Sequence, residues 1–427
     1  MSRMQKILAG VLSVVLLFFG WVMFRIGNKP ADSVKLTPIA AADAYHTKSY
    51  EQAYPLQYNS YMKNQQELPA VNGYGGSIDY QHFDKQPENK TNFKGYGFSI
   101  DYTEDRGHTH ALEEVDKTKR INDATKAACI TCKTPYVEKL YNDMGWKYAS
   151  LPFKEVRASI PDDGYISCAN CHDPQTMKLR VINPAFKEAL ARQGKDIEKA
   201  TPNEMRSYTC GQCHAEYYFA KDDNRVVFPW DKGMKPEEIY SYYEQKPGGF
   251  EADFVQPDSK VKVLKAQHPD FETWSMGIHA DNGVTCVDCH MPYMRDNGQK
   301  YTSHWMTSPL RNPEDSCGKC HDDTDKLMVR VKKIQDQVFM AQRTAGQTVA
   351  KAHNAIAAAA ASQGVDEAEL ANARELLRKA QWMWDFVAAE NSMGFHNPDQ
   401  ALSTLSQSID LAHQAIESAT KASSASN

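Results

Sequence analysis

The chain has 427 residues, a formal net charge of -5, 41% hydrophobic residues and a mean hydropathy of -0.61. That composition excludes a membrane bundle and argues against nucleic acid as a partner, which would call for a basic excess. The length allows two or three average domains.

The chain opens on its one membrane signal. Arg3 and Lys6 precede an apolar run from Ile7 to Phe24, and Arg25 and Lys29 follow it. About 18 such residues just span a bilayer core of roughly 30 Å. Trp21 to Arg25 offer no small-residue cleavage site. Residues 1–27 are therefore expected to be a signal sequence or an N-terminal membrane anchor, with the uncleaved anchor preferred and cleavage near Ala40 to Ala42 as the alternative. Either places the rest of the chain in the periplasm or another extracytoplasmic space. Residues 28–48 read as a polar linker.

Residues 49–322 are rich in Gly, Pro, Asn, Asp and Tyr and show few long periodic stretches, which predicts short helices, long loops and little sheet. All ten cysteines lie in this body as five C-x-x-C pairs: Cys129 and Cys132, Cys168 and Cys171, Cys210 and Cys213, Cys286 and Cys289, Cys317 and Cys320. Zinc knuckles or disulfides are the plain alternatives. Four of the pairs are followed directly by His172, His214, His290 and His321, and C-x-x-C-H is the attachment signature of c-type haem. Two thiols bond to the porphyrin vinyl groups while the adjacent imidazole reaches the iron. Five covalently bound haems then replace much of the side-chain core that a loop-rich segment lacks.

The first pair is followed instead by Lys133. A haem-free or decayed motif is the bland reading. The chemical one is an amine ligand, available once burial against a metal strips the proton from lysine. Axial-ligand identity is a main control over haem chemistry, so this departure marks one haem for a different task.

From Asp323 the composition turns to Ala, Lys, Gln and Glu. A helix is predicted from about Lys326 to Ser362, a second from Asp366 to Glu390, and a third opening on Asn397 as N-cap with Pro398 at the first helical position. The first, roughly 55 Å long at about 1.5 Å per residue, exceeds what covering the body requires, so residues 323–427 are expected to form a homodimer interface. The fold class expected is mainly α: a multihaem cytochrome with short helices and long loops around five haems, followed by long C-terminal helices.

Four C-x-x-C-H motifs with one C-x-x-C-K motif resemble the pentahaem, ammonia-forming cytochrome c nitrite reductases of the calcium-containing type. The likeness extends through Asp101 to His110 with Arg106-Gly107-His108, through Cys210 to Trp230, through Lys265-Ala266-Gln267-His268-Pro269 to Gly277-Ile278-His279, and through Cys286 to Pro292. The resemblance implies six-electron reduction of nitrite to ammonium, with Lys133, His172, His214, His290 and His321 as proximal iron ligands. It implies His108, His279, His304 and His396 as distal ligands of four relay haems, without pairing them. It places Arg106, Tyr218 and His268 on the open face of the Lys133 haem, where a guanidinium can hold an anion and the other two can supply protons. It also implies one calcium ion, held by side-chain oxygens of Glu216 and Gln267 and backbone carbonyls of Tyr217 and Lys265. A membrane quinol-oxidising multihaem cytochrome is the implied electron donor. His46 and His82 are read as surface residues, His110 competes weakly as a ligand, and His353 and His413 are read as solvated or capping groups on long helices. A non-catalytic electron-transfer cytochrome and a hydroxylamine-converting enzyme are the rival functions.

Overall fold

The computed structural model describes residues 36–246 and 250–424, together with Met4, Gln5, Val15, Phe18 and Phe19. The expected N-terminal anchor lies almost wholly outside these residues. Among the described residues no helix is long and apolar enough to cross a membrane.

The architecture is mainly α. Short helices and 3-10 turns joined by loops make up the body, with three two-stranded antiparallel ribbons among the described residues. One ribbon pairs β1 (Tyr218–Phe219) with β2 (Val226–Val227), a second pairs β3 (Phe254–Val255) with β4 (Lys262–Val263), and a third pairs β5 (Tyr293–Asp296) with β6 (Gln299–Thr302). Two short helices matter for the site: α1 (Pro202–Gly211), capped by Thr201 and Glu204, and α2 (Asp270–Ser275).

Three long helices follow: α3 (Thr324–Ala360), α4 (Glu367–Ala388) and α5 (Pro398–Ser424). Their ends obey local chemistry. The Asp366 carboxylate accepts from the backbone of Ala368 and Glu369, and Asn397 Oδ1 accepts from Gln400 N at 3.2 Å ahead of Pro398. Gly346 in α3 lies where a Cβ would press on the Trp384 indole of α4, so the two axes approach closely there.

These helices do not stand apart from the body. Phe93, Phe254, Val261 and Val263 share one apolar core with Val338, Leu377, Trp384 and Leu405. Polar ties reinforce that core. His353, expected to be solvated or to cap, is instead buried in α3, with Nδ1 2.7 Å from Ser259 Oγ and Nε2 2.6 Å from Gln381 Oε1. Both ring nitrogens therefore have partners, which is what makes burying an imidazole tolerable.

Candidate functional site: four imidazole pairs and a lysine

Each motif sits at a helix or turn, so its two cysteines and the following residue are presented together: Ala127–Cys132 ends on Lys133, Cys168–Cys171 on His172, and α1 carries Cys210. The four motif histidines each face one of the four expected distal histidines. Ring centres are 6.1 Å apart for His108 and His214, 6.0 Å for His172 and His304, 6.5 Å for His279 and His321, and 6.3 Å for His290 and His396. Two metal–imidazole bonds of about 2 Å, plus about 1 Å from each nitrogen to its ring centre, sum to about 6 Å. The gaps therefore fit one iron each, and they supply the pairing that the sequence left open.

Nδ1 contacts orient five of these rings. His172 Nδ1 lies 2.8 Å from Met177 O, His290 Nδ1 3.1 Å from Thr307 O, and His304 Nδ1 2.9 Å from Thr302 O. His214 Nδ1 is 3.3 Å from Asp270 Oδ2 and His396 Nδ1 is 2.6 Å from Glu390 Oε1. Engaging Nδ1 leaves Nε2 for the metal. Burial, followed by the facing imidazole, pushes His108 down to about 3 and His290 and His304 to about 4, which favours neutral rings with a free lone pair.

The motifs also adjoin one another. The Cys132 thiol is within hydrogen-bonding reach of Cys213, and Cys286 of Cys210, while Cys289 feels the charges of Cys317 and Cys320. The third motif thus links the Lys133 motif to the fourth, and the fourth links to the fifth. Motif two joins at the third, where the Cys171 charge reaches Cys213.

Lys133 has different surroundings. Burial works to lower its pKa, but the Asp105 carboxylate and the sulfurs of Cys132 and Cys129 outweigh that and hold it above its ordinary value. In a haem-bearing chain those sulfurs are neutral thioethers and only their placement carries over. His268 lies near enough to Lys133 for the two charges to oppose each other, and its ring centre is 4.8 Å from that of His214. That spacing is too short for an iron with the two imidazoles on opposite sides of it, so His268 is not a fifth paired ligand.

Two expected site residues are placed differently. Tyr218 is turned away from Lys133: its hydroxyl is 2.7 Å from Tyr242 OH, accepts from Lys246 Nζ at 2.6 Å, and packs with Phe250 and Tyr243. Successive residues of extended backbone point to opposite sides. Tyr217 accordingly lies on the other side, where burial and the sulfurs of Cys132 and Cys129 push its hydroxyl well up. Arg106 is committed to carboxylates. Its guanidinium meets Glu114 at 2.5 Å, Glu67 at 2.8 Å and Glu113 at 3.3 Å, while Asp105 faces Lys133 and His268.

Beside this face, Glu216, Lys265 and Gln267 converge. Glu216 Oε2 accepts from Gln267 N at 2.6 Å, and Gln267 Nε2 donates to Lys265 O at 3.1 Å. The Lys265 ammonium points the other way, 3.0 Å from Asp385 Oδ1 and over the rings of Phe93 and Phe98, so its carbonyl is the group offered here. Buried Glu216 and Asp385 and half-buried Asp253 share this one ammonium, and Glu272 is buried beside Glu216. Burial and mutual repulsion raise Glu216 well above the carboxylate range, and burial raises Asp253 and Glu272 to about 7. An excess of buried carboxylate with carbonyl and amide oxygens at hand fits a hard cation such as calcium.

The sequence reading missed Tyr217 as the ring on the Lys133 side, and it missed Asp105, Asp270 and Asn391. A carboxylate two residues after a candidate imidazole, as in His268-Pro269-Asp270, was the available signal for Asp270.

Residues 46–426 match the family model for cytochrome c552. The chain is 38% identical to the cytochrome c nitrite reductase subunit NrfA of Nitratidesulfovibrio vulgaris, covering 98% of this chain and 87% of the relative. It is 35% identical to a cytochrome c-552 of Bacteroides fragilis, over 95% and 83%. The structure superposes on the catalytic subunit of cytochrome c nitrite reductase from Desulfovibrio desulfuricans, a protein described with two calcium sites, with a TM-score of 0.86 and 39% identity over 90% of this chain and 88% of that one. The four paired imidazoles, the lysine in place of the fifth and the buried acidic pocket thus belong to a c-type cytochrome, and the chain is a member of the cytochrome c552 family.

Proposed function

We infer that the protein reduces nitrite to ammonium on the Lys133 side of its first motif, fed by four relay haems held between His108 and His214, His172 and His304, His279 and His321, and His290 and His396. The observation that carries this reading is the contrast between those four pairs and Lys133, whose neighbouring imidazole, His268, is engaged through Nδ1 with Asp270 at 3.0 Å.

Nitrite takes up six electrons and eight protons to give ammonium and two waters. When bound, the haem at Cys129 and Cys132 supplies the iron at which nitrogen is reduced. The chain's own residues supply the rest. His268, its Nδ1 held by Asp270, presents Nε2 for hydrogen bonding and proton delivery, and the Tyr217 hydroxyl offers a second donor on the same side. Arg106 takes the anion-binding role by exchanging one of its glutamate partners for nitrite. Glu216, Lys265 O, Gln267 and the Tyr217 carbonyl would hold the ion, and that common engagement would fix Gln267 and Tyr217, and with Gln267 its chain neighbour His268. The adjoining motifs let electrons enter through the fifth and fourth motifs and pass through the third to the first.

The N-terminal apolar run supports an extracytoplasmic location, held to the membrane if that run is retained. A membrane quinol-oxidising multihaem cytochrome is the donor that such a location and a multihaem acceptor suggest, and the long helices α3 and α5 provide the face for a homodimer.

EPR of the oxidised protein with and without nitrite, paired with an ammonium assay using reduced methyl viologen, tests this. A high-spin signal that shifts on adding nitrite, together with ammonium formation, is expected. Low-spin signals alone and no ammonium would instead indicate an electron-transfer cytochrome.

A further inference from the structure

One oxygen of Asp270 serves two imidazoles. Its Oδ2 lies 3.0 Å from His268 Nδ1 and 3.3 Å from His214 Nδ1. The carboxylate is buried and held from a third direction by Asn391, just beyond the end of α4: Asn391 N donates to Oδ1 at 2.8 Å and Asn391 Nδ2 to Oδ2 at 2.8 Å. The backbone fastens the same place, with Phe271 N donating to His214 O at 2.9 Å and Asp270 N to His268 O at 2.8 Å. Asn391 Nδ2 also approaches His268 Nδ1, at 3.1 Å. An ionised carboxylate only accepts, whereas either tautomer of the ring can be drawn. The arrangement that satisfies all three groups has the amide and both Nδ1–H groups donating to Asp270.

We propose that Asp270 is a positioning residue shared by the relay haem of His108 and His214 and by the reacting face, fixing the Nδ1–H tautomer of His268 and of His214 with one carboxylate. A carboxylate on the outer nitrogen of a ligating imidazole makes the inner nitrogen a stronger donor, and outer partners of this kind typically change affinity or activity about 10- to 100-fold when removed. The same charge therefore holds the relay potential down and keeps His268 Nε2 aimed at the substrate. Asn391 makes the placement a property of the end of α4 as well as of the loop that carries His268. The part concerning His268 rests on the proposed nitrite reduction, whereas the part concerning His214 does not.

The test is Asp270→Asn in the five-haem enzyme, read by potentiometric titration without substrate and by nitrite turnover. Expected are a positive shift of the relay haem of His108 and His214, a smaller one of the haem of His290 and His396, whose rings also feel the Asp270 charge, the other two relay haems unmoved, and a fall of about tenfold or more in kcat. Asp270→Glu, which restores the charge, returns the potential toward that of the wild type. Turnover loss with no potential shifted, or a shifted potential with turnover intact, overturns the sharing. Unchanged values for both overturn the proposal altogether. A wild-type enzyme that forms no ammonium would sink the nitrite reading instead, and the potential measurement would still decide whether His214 depends on Asp270. Should Asp270→Asn fail to load five haems, Asn391→Ala carries the same pair of measurements.

Discussion

The hydroxyl of Tyr218 lies 2.7 Å from that of Tyr242, an engagement that commits Tyr218 to the apolar side of its ribbon and leaves Tyr217 toward the first motif. Substituting each in turn separates their roles. Tyr217→Phe is expected to lower kcat for nitrite by about 100-fold, the scale of a lost proton-transfer group. Tyr218→Phe loses hydrogen bonds with Tyr242 and Lys246, so about 1 kcal/mol of stability disappears while turnover stays within a few-fold. Steady-state kinetics and thermal melts of both variants decide it, and the reverse ranking of activities would refute the assignment.

Lys133→His converts the first motif into the form of the other four. The cysteines still attach haem, so the haem content of five is retained. Turnover is expected to fall at least about tenfold, the effect of about 1.4 kcal/mol on the barrier, because the proximal ligand sets the electronics of the iron. Haem stoichiometry by pyridine haemochrome assay and ammonium formation are the measurements, and wild-type turnover would show that the amine is dispensable.

The acidic pocket predicts a pH-dependent ion affinity. Without the ion, burial and the neighbouring Glu272 and Asp253 favour protonated Glu216, so binding calcium displaces a proton. Affinity should weaken as pH falls, by up to about tenfold per unit for each proton displaced. Calcium titrations of chelator-stripped enzyme at pH 6, 7 and 8 measure this, and the same affinity at all three would contradict it. Glu216→Gln is expected to abolish tight binding and to lower turnover with it.

His353 links α3 to α4 and to the loop of Ser259, and burial pushes its pKa down to about 4 from an ordinary 6.5. The folded state thus favours the neutral ring. The stability this contributes is fully present above pH 6.5 and is lost as pH falls from there toward 4, with an upper figure of about 3 kcal/mol. Denaturant unfolding between pH 7 and 4.5 should show that decline, and His353→Gln should flatten it. An unchanged slope in the variant would assign the decline to other groups.

Much of the site was legible because haem attachment is written in short covalent spacing. Cys129-x-x-Cys132-Lys133 and the four C-x-x-C-H motifs need no tertiary information to be read. The long helices were equally local: Asp366, Asn397 and Pro398 act on backbone within one turn, and the observed ends fall within two residues of those expected. Other features were hidden for physical reasons. Tyr217 and Tyr218 are chemically identical neighbours, so only the pairing of Tyr218 with Val227 and its packing against Tyr242 choose which faces which way. His353 read as solvated because a lone histidine on a long helix carries no sign of the Ser259 and Gln381 that meet it.

Five haem attachment motifs, the amine that one of them carries where the others have imidazole, and the long capped helices that follow are all present in the amino-acid sequence. The tertiary structure alone decided which imidazole faces which, since His290 and His396 or His172 and His304 meet only through folding. It also decided that Asp270 stands between His214 and His268, held by Asn391 from the end of a distant helix. Covalent spacing and capping act over a few residues of chain. Iron-sized gaps between imidazoles and shared buried carboxylates arise from packing segments far apart in sequence, and no local pattern encodes them.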